Sequence, residues 1–454
     1  MNLKKLLALL FALVLVAGLV ACGNGGNGET AESPAPTEPG ETPTETPEPD
    51  DPDEPATETP TPEDPPAQTI TLTYYGFSEW VDSDPFRAVY EEAVALFEAE
   101  NPGFTIELQS DPWGDWEMQY RAMFAAGNPA DIFIVNNPDF PVFANSGALL
   151  NIGDFVEPGY FNQFFPGVLE FYTWQGDVMA IPFTTDCRIL WWNRDIFEEA
   201  GLDPDVPPET WEELVAFANQ ITENTGSHGF GLDLGLGEFP AQALFNASTG
   251  SVLDIAADGT ITPVVDTQEF RAYLQTLLDL QPTFQPDFAV TNHHDVARLF
   301  AAGQFGMIIG NTLVETDVYD HDFWGQGFVP RMNASAPHGS FGGGFGIAVS
   351  ANTAAPEAAV RFAQILTSAE FNSRLISDLP ASEAGVAASA FAADPNMAVY
   401  LEVLPHARQA QPKTLFYAEI EAAIHEIVAA VLIGGMDIDT AVETLADRIN
   451  AIVS

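Results

Sequence analysis

The chain has 454 residues, 46% of them apolar and 11% aromatic, and carries 66 acidic side chains against 14 lysines and arginines, a formal charge of −52. That length exceeds one ordinary hydrophobic core, so two lobes are expected, and the apolar content is ample to fill them. A surface this acidic repels nucleic acid and anionic lipid, whose phosphates need many cationic contacts. The charge is read as serving solubility, so it describes the solvent and not the ligand.

Residues 1–21 read as a signal peptide: Lys4 and Lys5, then an uncharged apolar stretch short for a membrane span of about 20 residues. Leu19-Val-Ala-Cys22 resembles a bacterial lipobox, which implies cleavage before Cys22 and a lipid on its sulfur. The mature protein is then a cell-membrane lipoprotein on the extracellular or periplasmic face, held by two or more acyl chains. Residues 22–68 are that lipidated cysteine and a tether of Pro, Glu, Thr and Asp with no basic residue, expected to stay extended and disordered. Cys187 is the one other cysteine, so no structural disulfide is available.

The folded part opens at residues 69–75 with an alternating, β-rich strand. Asp84 and Pro85 read as the cap and first position of a helix whose stripe is Val89, Ala93, Leu96 and Phe97. Asn101-Pro-Gly103 ends it before a strand at 104–108. Residues 118–126 read as a helix, Gly127-Asn-Pro-Ala130 as a turn, and 131–135 as a third short strand. Strands alternating with helices argue for a parallel sheet. Ligands on such sheets bind beyond the carboxyl ends of the strands, which points to residues 77–80, 111–116 and 136–139.

Next comes Ile181-Pro-Phe-Thr-Thr-Asp-Cys-Arg-Ile-Leu-Trp-Trp-Asn-Arg-Asp195. Pro182 suits a strand start or edge, residues 189–192 a buried strand, and Asp195 the cap of the helix beginning at Ile196. Thr184, Thr185 and Asp186 are polar where a buried strand prefers none, since burying them unsatisfied costs free energy. The run is therefore read as crossing between the lobes, with Asp186 facing the cleft and Cys187 buried as a small hydrophobe. Thr210-Trp-Glu-Glu213 is a capping box ahead of a helix at 214–221. Helices are also expected at 270–280, 296–302, 355–366, 418–431 and 439–452, and a strand at 305–309. A second crossing falls in Ser340-Phe-Gly-Gly-Gly-Phe-Gly-Ile-Ala-Val-Ser350, where glycines permit bending and close backbone approach. No lysine or helix start follows those glycines, so a phosphate loop fails its context.

Several stretches carry a family resemblance. Gly176-Asp-Val-Met-Ala-Ile-Pro182, Leu190-Trp-Trp-Asn-Arg-Asp-Ile-Phe-Glu-Glu-Ala-Gly-Leu202 and Pro207-Pro-Glu-Thr-Trp-Glu-Glu-Leu214 resemble the carbohydrate-type solute-binding proteins of ABC importers, of the maltose and oligosaccharide kind. Residues 97–104, 125–132, 149–154, 296–309 and 366–368 match further signatures of that family. The resemblance implies the two-lobed periplasmic-binding-protein fold, type II, an α/β architecture with a mostly parallel sheet and covering helices in each lobe. Lobe 1 would be residues 69–185 plus about 346–372, and lobe 2 residues 186–345 plus about 373–454. It implies a sugar ligand, ABC permease subunits as partners, a monomer, no cofactor and no catalysis.

A sugar site needs flat aromatic platforms for the ring faces and planar or charged acceptors for the hydroxyl edges. Phe77, Glu79, Trp80, Trp113, Trp116 and Trp324 stand at element ends beside such acceptors, and Gly343 and Gly344 in the second crossing; Asn311 follows the strand at 305–309 and borders the cleft. By resemblance, Asp186 contacts sugar, as do Asn136 and Asn137 after the third strand. Phe239, following Glu238, and Phe416 or Tyr417 at the start of the penultimate helix stack on it. Where family members carry a tryptophan after the strand at 305–309, this chain has Leu313, and Trp324 stands in for it. No Gly-x-Ser-x-Gly or His-Glu-x-x-His motif occurs, no carboxylate pair stands out, and His293-His294-Asp295 reads as a solvated helix start and not a metal site. The alternatives are a binding protein for a polyamine, peptide-like or metal-chelate solute, and a cell-surface glycan-active enzyme.

Overall fold

Each of the first strands ends in a turn and a helix that returns the chain to the same edge, so the strands lie parallel. In the computed structural model, residues 69–454 are described, apart from 235–239, 249, 257–258, 312–321, 376–377 and 409–411. The expected signal peptide, Cys22, the tether, Glu238, Phe239 and Leu313 lie outside the described residues. Strand β1 (Ile70–Phe77) pairs in parallel with β2 (Phe104–Asp111) from Ile70 opposite Phe104 to Phe77 opposite Asp111. On its other side lies β3 (Ile132–Asn136), also parallel. Helix α1 (Phe86–Glu100) covers the sheet through Val89, Tyr90, Ala93 and Phe97, an i, i+4 stripe. Helix α2 (Trp113–Ala125) starts five residues earlier than its apolar pattern suggests, so Trp113 and Trp116 sit on its first turn and not on a loop.

The chain then runs through β4 (Ala180–Pro182), β5 (Thr184–Cys187) and β6 (Ile189–Asn193). Asn193, not Asp195, caps α3 (Arg194–Ala200), its side chain accepting from the Ile196 N–H. The capping box forms as expected, with Thr210 and Glu213 reciprocating at the start of α4 (Trp211–Asn224). After these come β7 (His228–Gly231), α5 (Pro240–Ala247), α6 (Gln268–Leu280), α7 (His293–Ala301), β8 (Phe305–Gly310) and β9 (Trp324–Gly327). The remainder comprises β10 (Ser340–Gly343), β11 (Phe345–Val349), α8 (Pro356–Leu366), β12 (Leu379–Pro380), β13 (Ala407–Arg408), α9 (Tyr417–Leu432) and α10 (Ile438–Val453).

These strands make two main sheets. The first has the order β2-β1-β3-β11-β4, with β11 antiparallel to both neighbours; the second has the order β9-β6-β8-β7. Each is packed into its own apolar cluster, one built around Tyr74, Phe97, Phe133 and Phe362, the other around Leu214, Phe245, Leu274 and Ile424. A smaller cluster around Trp191, Phe300 and Tyr400 covers the other face of the second sheet. The architecture is two-lobed and α/β. Among the described residues, no helix is long and apolar enough to cross a membrane.

Between the lobes the strands form a narrow ribbon, β12-β5-β10-β13. The crossings are shorter than the runs read from the sequence. Of those runs, residues 184–187 and 340–343 lie in the ribbon, while β6 and β11 already belong to the flanking sheets. A third crossing, β12, pairs with Thr184 and Thr185 and carried no sequence signal. Gly344 makes the join between β10 and β11 at φ +133°, and a Cβ there would stand 2.3 Å from the Thr184 carbonyl oxygen. Gly344→Ala should therefore lose roughly 2–5 kcal/mol of unfolding free energy in urea, strain and backbone clash together. Gly147→Ala, at φ +75° with open space around it, should lose only about 1 kcal/mol; equal losses for the two would refute this account of the join.

Candidate functional site

The carboxyl ends of β1, β2 and β3 face the ribbon, and aromatic side chains collect there. Phe77, the last residue of β1, packs edge-on to Trp80, Trp113, Trp116 and Phe345 at ring separations of 4.6, 5.0, 5.1 and 5.0 Å. Phe77, Trp80 and Trp116 are core, whereas Trp113 is 44% exposed and lies parallel to the Trp116 ring at 6.2 Å. The backbone N–H of Trp113 donates to the exposed Glu79 carboxylate at 3.1 Å, which holds the helix start and the carboxylate together. Asn136 is half-buried and accepts from the Asp139 N–H at 3.1 Å, while the Nδ2 of buried Asn137 has no hydrogen-bond partner among the described residues. Asp139, buried and ion-paired to Arg121, has its carboxyl pushed up to about 7 by burial first and then by Glu117, against the pull of Arg121.

At the ribbon, Asp186 is half-buried and is not a free acceptor. Its Oδ1 takes the Gly343 N–H at 2.8 Å, and its other oxygen pairs with the Arg188 guanidinium. A Cβ on Gly343 would lie 2.7 Å from that Oδ1, so glycine is what lets the carboxylate approach the second crossing. Arg188 lies over the Phe341 ring at 5.2 Å from its centroid, and its backbone N–H donates to Ser340 Oγ at 2.9 Å. His293 joins this group: burial, then His294 and Arg188, depress its pKa to about 3, with Asp186 opposing. It is half-buried against the ribbon and not the solvated helix start read from the sequence; His294 is the exposed member of the pair. Among the described residues no three His, Cys, Asp or Glu side chains gather as a metal site.

Lobe 2 buries several polar groups. Asn311 follows β8 and is half-buried, and Phe416 is half-buried at the start of α9, where Tyr417 is core. Four residues along α9, Glu421 is 3% exposed, and burial raises its carboxyl to about 8 although Gln242 and Tyr417 pull the other way. Arg408, next to Phe341 across the ribbon, donates to the Asn246 carbonyl of α5. Trp324 packs away from this wall, 5.2 Å from Trp191 in the third cluster.

Phe77, Glu79, Trp80, Trp113, Trp116, Asn136 and Asn137 thus gather at one edge of lobe 1, and Asp186, Gly343 and Gly344 in the ribbon beside it. Trp324 does not join them. Sequence reasoning missed Arg188, His293, Arg408 and Glu421, and for Arg188 there was a signal: a lone cation directly ahead of an apolar run.

The sequence profile described as bacterial extracellular solute-binding protein matches residues 80–372. A Brucella abortus (strain 2308) protein named as a binding protein is 23% identical over 374 residues, 80% of this chain and 89% of that one. Among solved structures, the sugar-binding protein MalE from Xanthomonas citri aligns with a TM-score of 0.72 at 21% identity, covering 85% of this chain and 97% of its own. A solute-binding protein of an ABC transporter from Thermotoga lettingae, bound with alpha-D-tagatose, aligns with a TM-score of 0.69 at 23% identity, covering 85% and 100%.

Two outcomes follow. Asp186→Asn leaves the largely buried Arg188 without its counter-charge and should cost about 3–5 kcal/mol in chemical denaturation, with Arg188→Met recovering part of it; a loss within 0.5 kcal/mol would remove the pair from its structural role. Glu421 folds with its pKa raised from 4.5 to about 8, so between those values the native state keeps a proton that the unfolded chain has released. Its contribution to stability therefore falls as pH rises through that window, by at most about 1.4 kcal/mol per unit. Urea titrations of wild type and Glu421→Gln at pH 5 and pH 8 should show their difference shrinking with pH, and a difference independent of pH would contradict the burial argument.

Proposed function

Because the chain belongs to the family of bacterial extracellular solute-binding proteins, we propose that it captures a sugar or short oligosaccharide between its two lobes and delivers it to the membrane subunits of an ABC importer. The observation that carries this reading is Trp113, a large aromatic with one face to solvent, fixed by Trp116, Phe77 and Phe345 at the edge of a rigid sheet. A flat ring held from behind is what the C–H face of a sugar packs on, and it costs little side-chain entropy to use. Glu79 and Asn136 supply hydroxyl partners beside it, Phe416 and Asn311 the opposing wall. That the similar structures include a MalE and a tagatose complex supports the sugar over a polyamine, peptide or metal chelate.

The lobes open and close about the ribbon, and a ligand that touches both favours the closed form. Asp186 acts in this scheme by joining the two crossings, so its effect on the ligand is exerted through the hinge. Binding and release complete the cycle, with no bond made or broken. Cys22, if lipidated, anchors a monomer by the tether. A thermal-shift panel of mono- and oligosaccharides is the direct test, with tryptophan emission as the second readout. A stabilising sugar whose affinity drops roughly tenfold, about 1.4 kcal/mol, in Trp113→Ala is the expected result. A shift with spermidine, a peptide or a metal chelate and with no sugar would overturn the assignment.

A further inference from the structure

One ammonium group joins the two lobes outside the ribbon. The chain has three lysines; Lys4 and Lys5 lie in the expected signal peptide, and Lys413 stands at the entry to α9. Its Nζ donates to the Glu170 carbonyl, to the Thr173 carbonyl at 2.6 Å and to a Glu170 carboxylate oxygen at 3.1 Å. An ammonium has three donors, so all of them are engaged. The side chain is 16% exposed, where a lysine kept for solubility would stand in water. Glu170 lies on the short helix Pro166–Phe171, whose Val168 and Phe171 pack in the cluster of the first sheet. Lys413 precedes buried Thr414, whose Oγ1 accepts the Phe416 N–H at 3.3 Å, and Phe416 and Ile420 pack in the cluster of the second sheet. The pairs Arg121–Asp139, Arg361–Glu100, Arg271–Asp439 and Arg448–Glu426, by contrast, each stay within one lobe.

The helix Pro166–Phe171 is held at both ends. Its first turn packs on β13, the edge strand of the ribbon, where a Cβ on Gly167 would come 3.8 Å from the Ala407 carbonyl oxygen. Its last turn is held by Lys413. Rotation of the lobes about the ribbon turns this helix about its first end and carries its second end towards or away from α9. Bringing it nearer moves lobe 1 towards Phe416, the wall proposed to face Trp113. We infer that Lys413 is a clasp between the lobes, closing on Glu170 and Thr173 as the lobes come together over a ligand and releasing them as the lobes part. Lys413 touches no ligand, since its donors are taken. The two backbone carbonyls carry most of the contact, because the Glu170 carboxylate is 70% exposed and such pairs contribute little. The clasp favours capture of any solute that closes the lobes, so it rests on closure about the ribbon and not on that solute being a sugar.

Calorimetry on the full chain tests it, with maltose, maltotriose and D-tagatose as probes. Lys413→Met should weaken every probe that binds by about fivefold or more, and by one common factor. The loss should fall on the dissociation rate, read by stopped-flow tryptophan emission, with association changed less than about twofold. Lys413→Arg, which keeps charge and donors, should stay within about threefold of wild type. Glu170→Gln, which leaves both carbonyls in place, should stay within about twofold. Unchanged or tighter binding in Lys413→Met would overturn the clasp. So would losses that differ about tenfold between probes, the mark of a direct ligand contact. If no probe binds and spermidine, a peptide or a metal chelate does, the sugar reading falls, and the same variants measured with that solute decide the clasp.

Discussion

The approach of two crossing strands in the ribbon is the constraint on which the rest depends. Gly343 presents its N–H to Asp186 from a distance that no residue with a Cβ permits, and Gly344 turns the chain at once into the first sheet. The carboxylate so placed must be neutralised, and Arg188, laid over Phe341, does this from the same strand. A charge pair this poorly exposed is worth little in net stability compared with an apolar pair, but it is costly to break. It therefore fixes the register of β5 against β10, and with it the distance between the lobes. Thr185 and Ser340 add hydrogen bonds across the same ribbon, so few of its polar groups are left to a ligand.

Each lobe brings a different kind of wall to the gap. Lobe 1 presents aromatic rings backed by other rings, a surface that holds its shape whether or not it is occupied. Lobe 2 offers half-buried Asn311 and Phe416, and its buried amides, phenol and carboxyl, Gln242, Asn246, Tyr273 and Glu421, lie within its own core. The acidity of the whole chain contributes little to either wall, because most of its carboxylates are on solvated faces. Exceptions such as Asp139 and Glu421 are buried, and both carry carboxyl groups displaced well up from their usual range.

Much of the fold was legible because apolar periodicity and caps are local. Val89, Ala93 and Phe97 of the α1 stripe, the capping box of α4 and the parallel order of the first strands all follow from neighbours in sequence, whereas Leu96, expected in that stripe, is exposed and Tyr90 takes its place. The site was legible only in part. Trp113 and Trp116 stand three residues apart with the same chemistry and both touch Phe77 and Phe345, yet one faces solvent and the other is core, because Trp116 is sandwiched between Trp113 and the buried Tyr120 ring. His293 looked solvated because its neighbours are polar; what half-buries it is a ribbon formed by residues about 100 positions earlier and about 50 positions later. The third crossing, Leu379–Pro380, is too short for any pattern to register.

The order of the first sheet carries a further consequence. Strand β11 lies between β3 and β4, so the earlier strands cannot close their sheet until residues 345–349 have arrived. Neither lobe is a continuous stretch of chain, and no N-terminal portion holds a complete core. Contacts this distant in sequence form late, since loop closure must precede their reward. A nascent chain emerging N-terminus first thus lacks a closed first sheet along about three-quarters of its length, and the half-made edge of β3 stays open until residues 345–349 cover it.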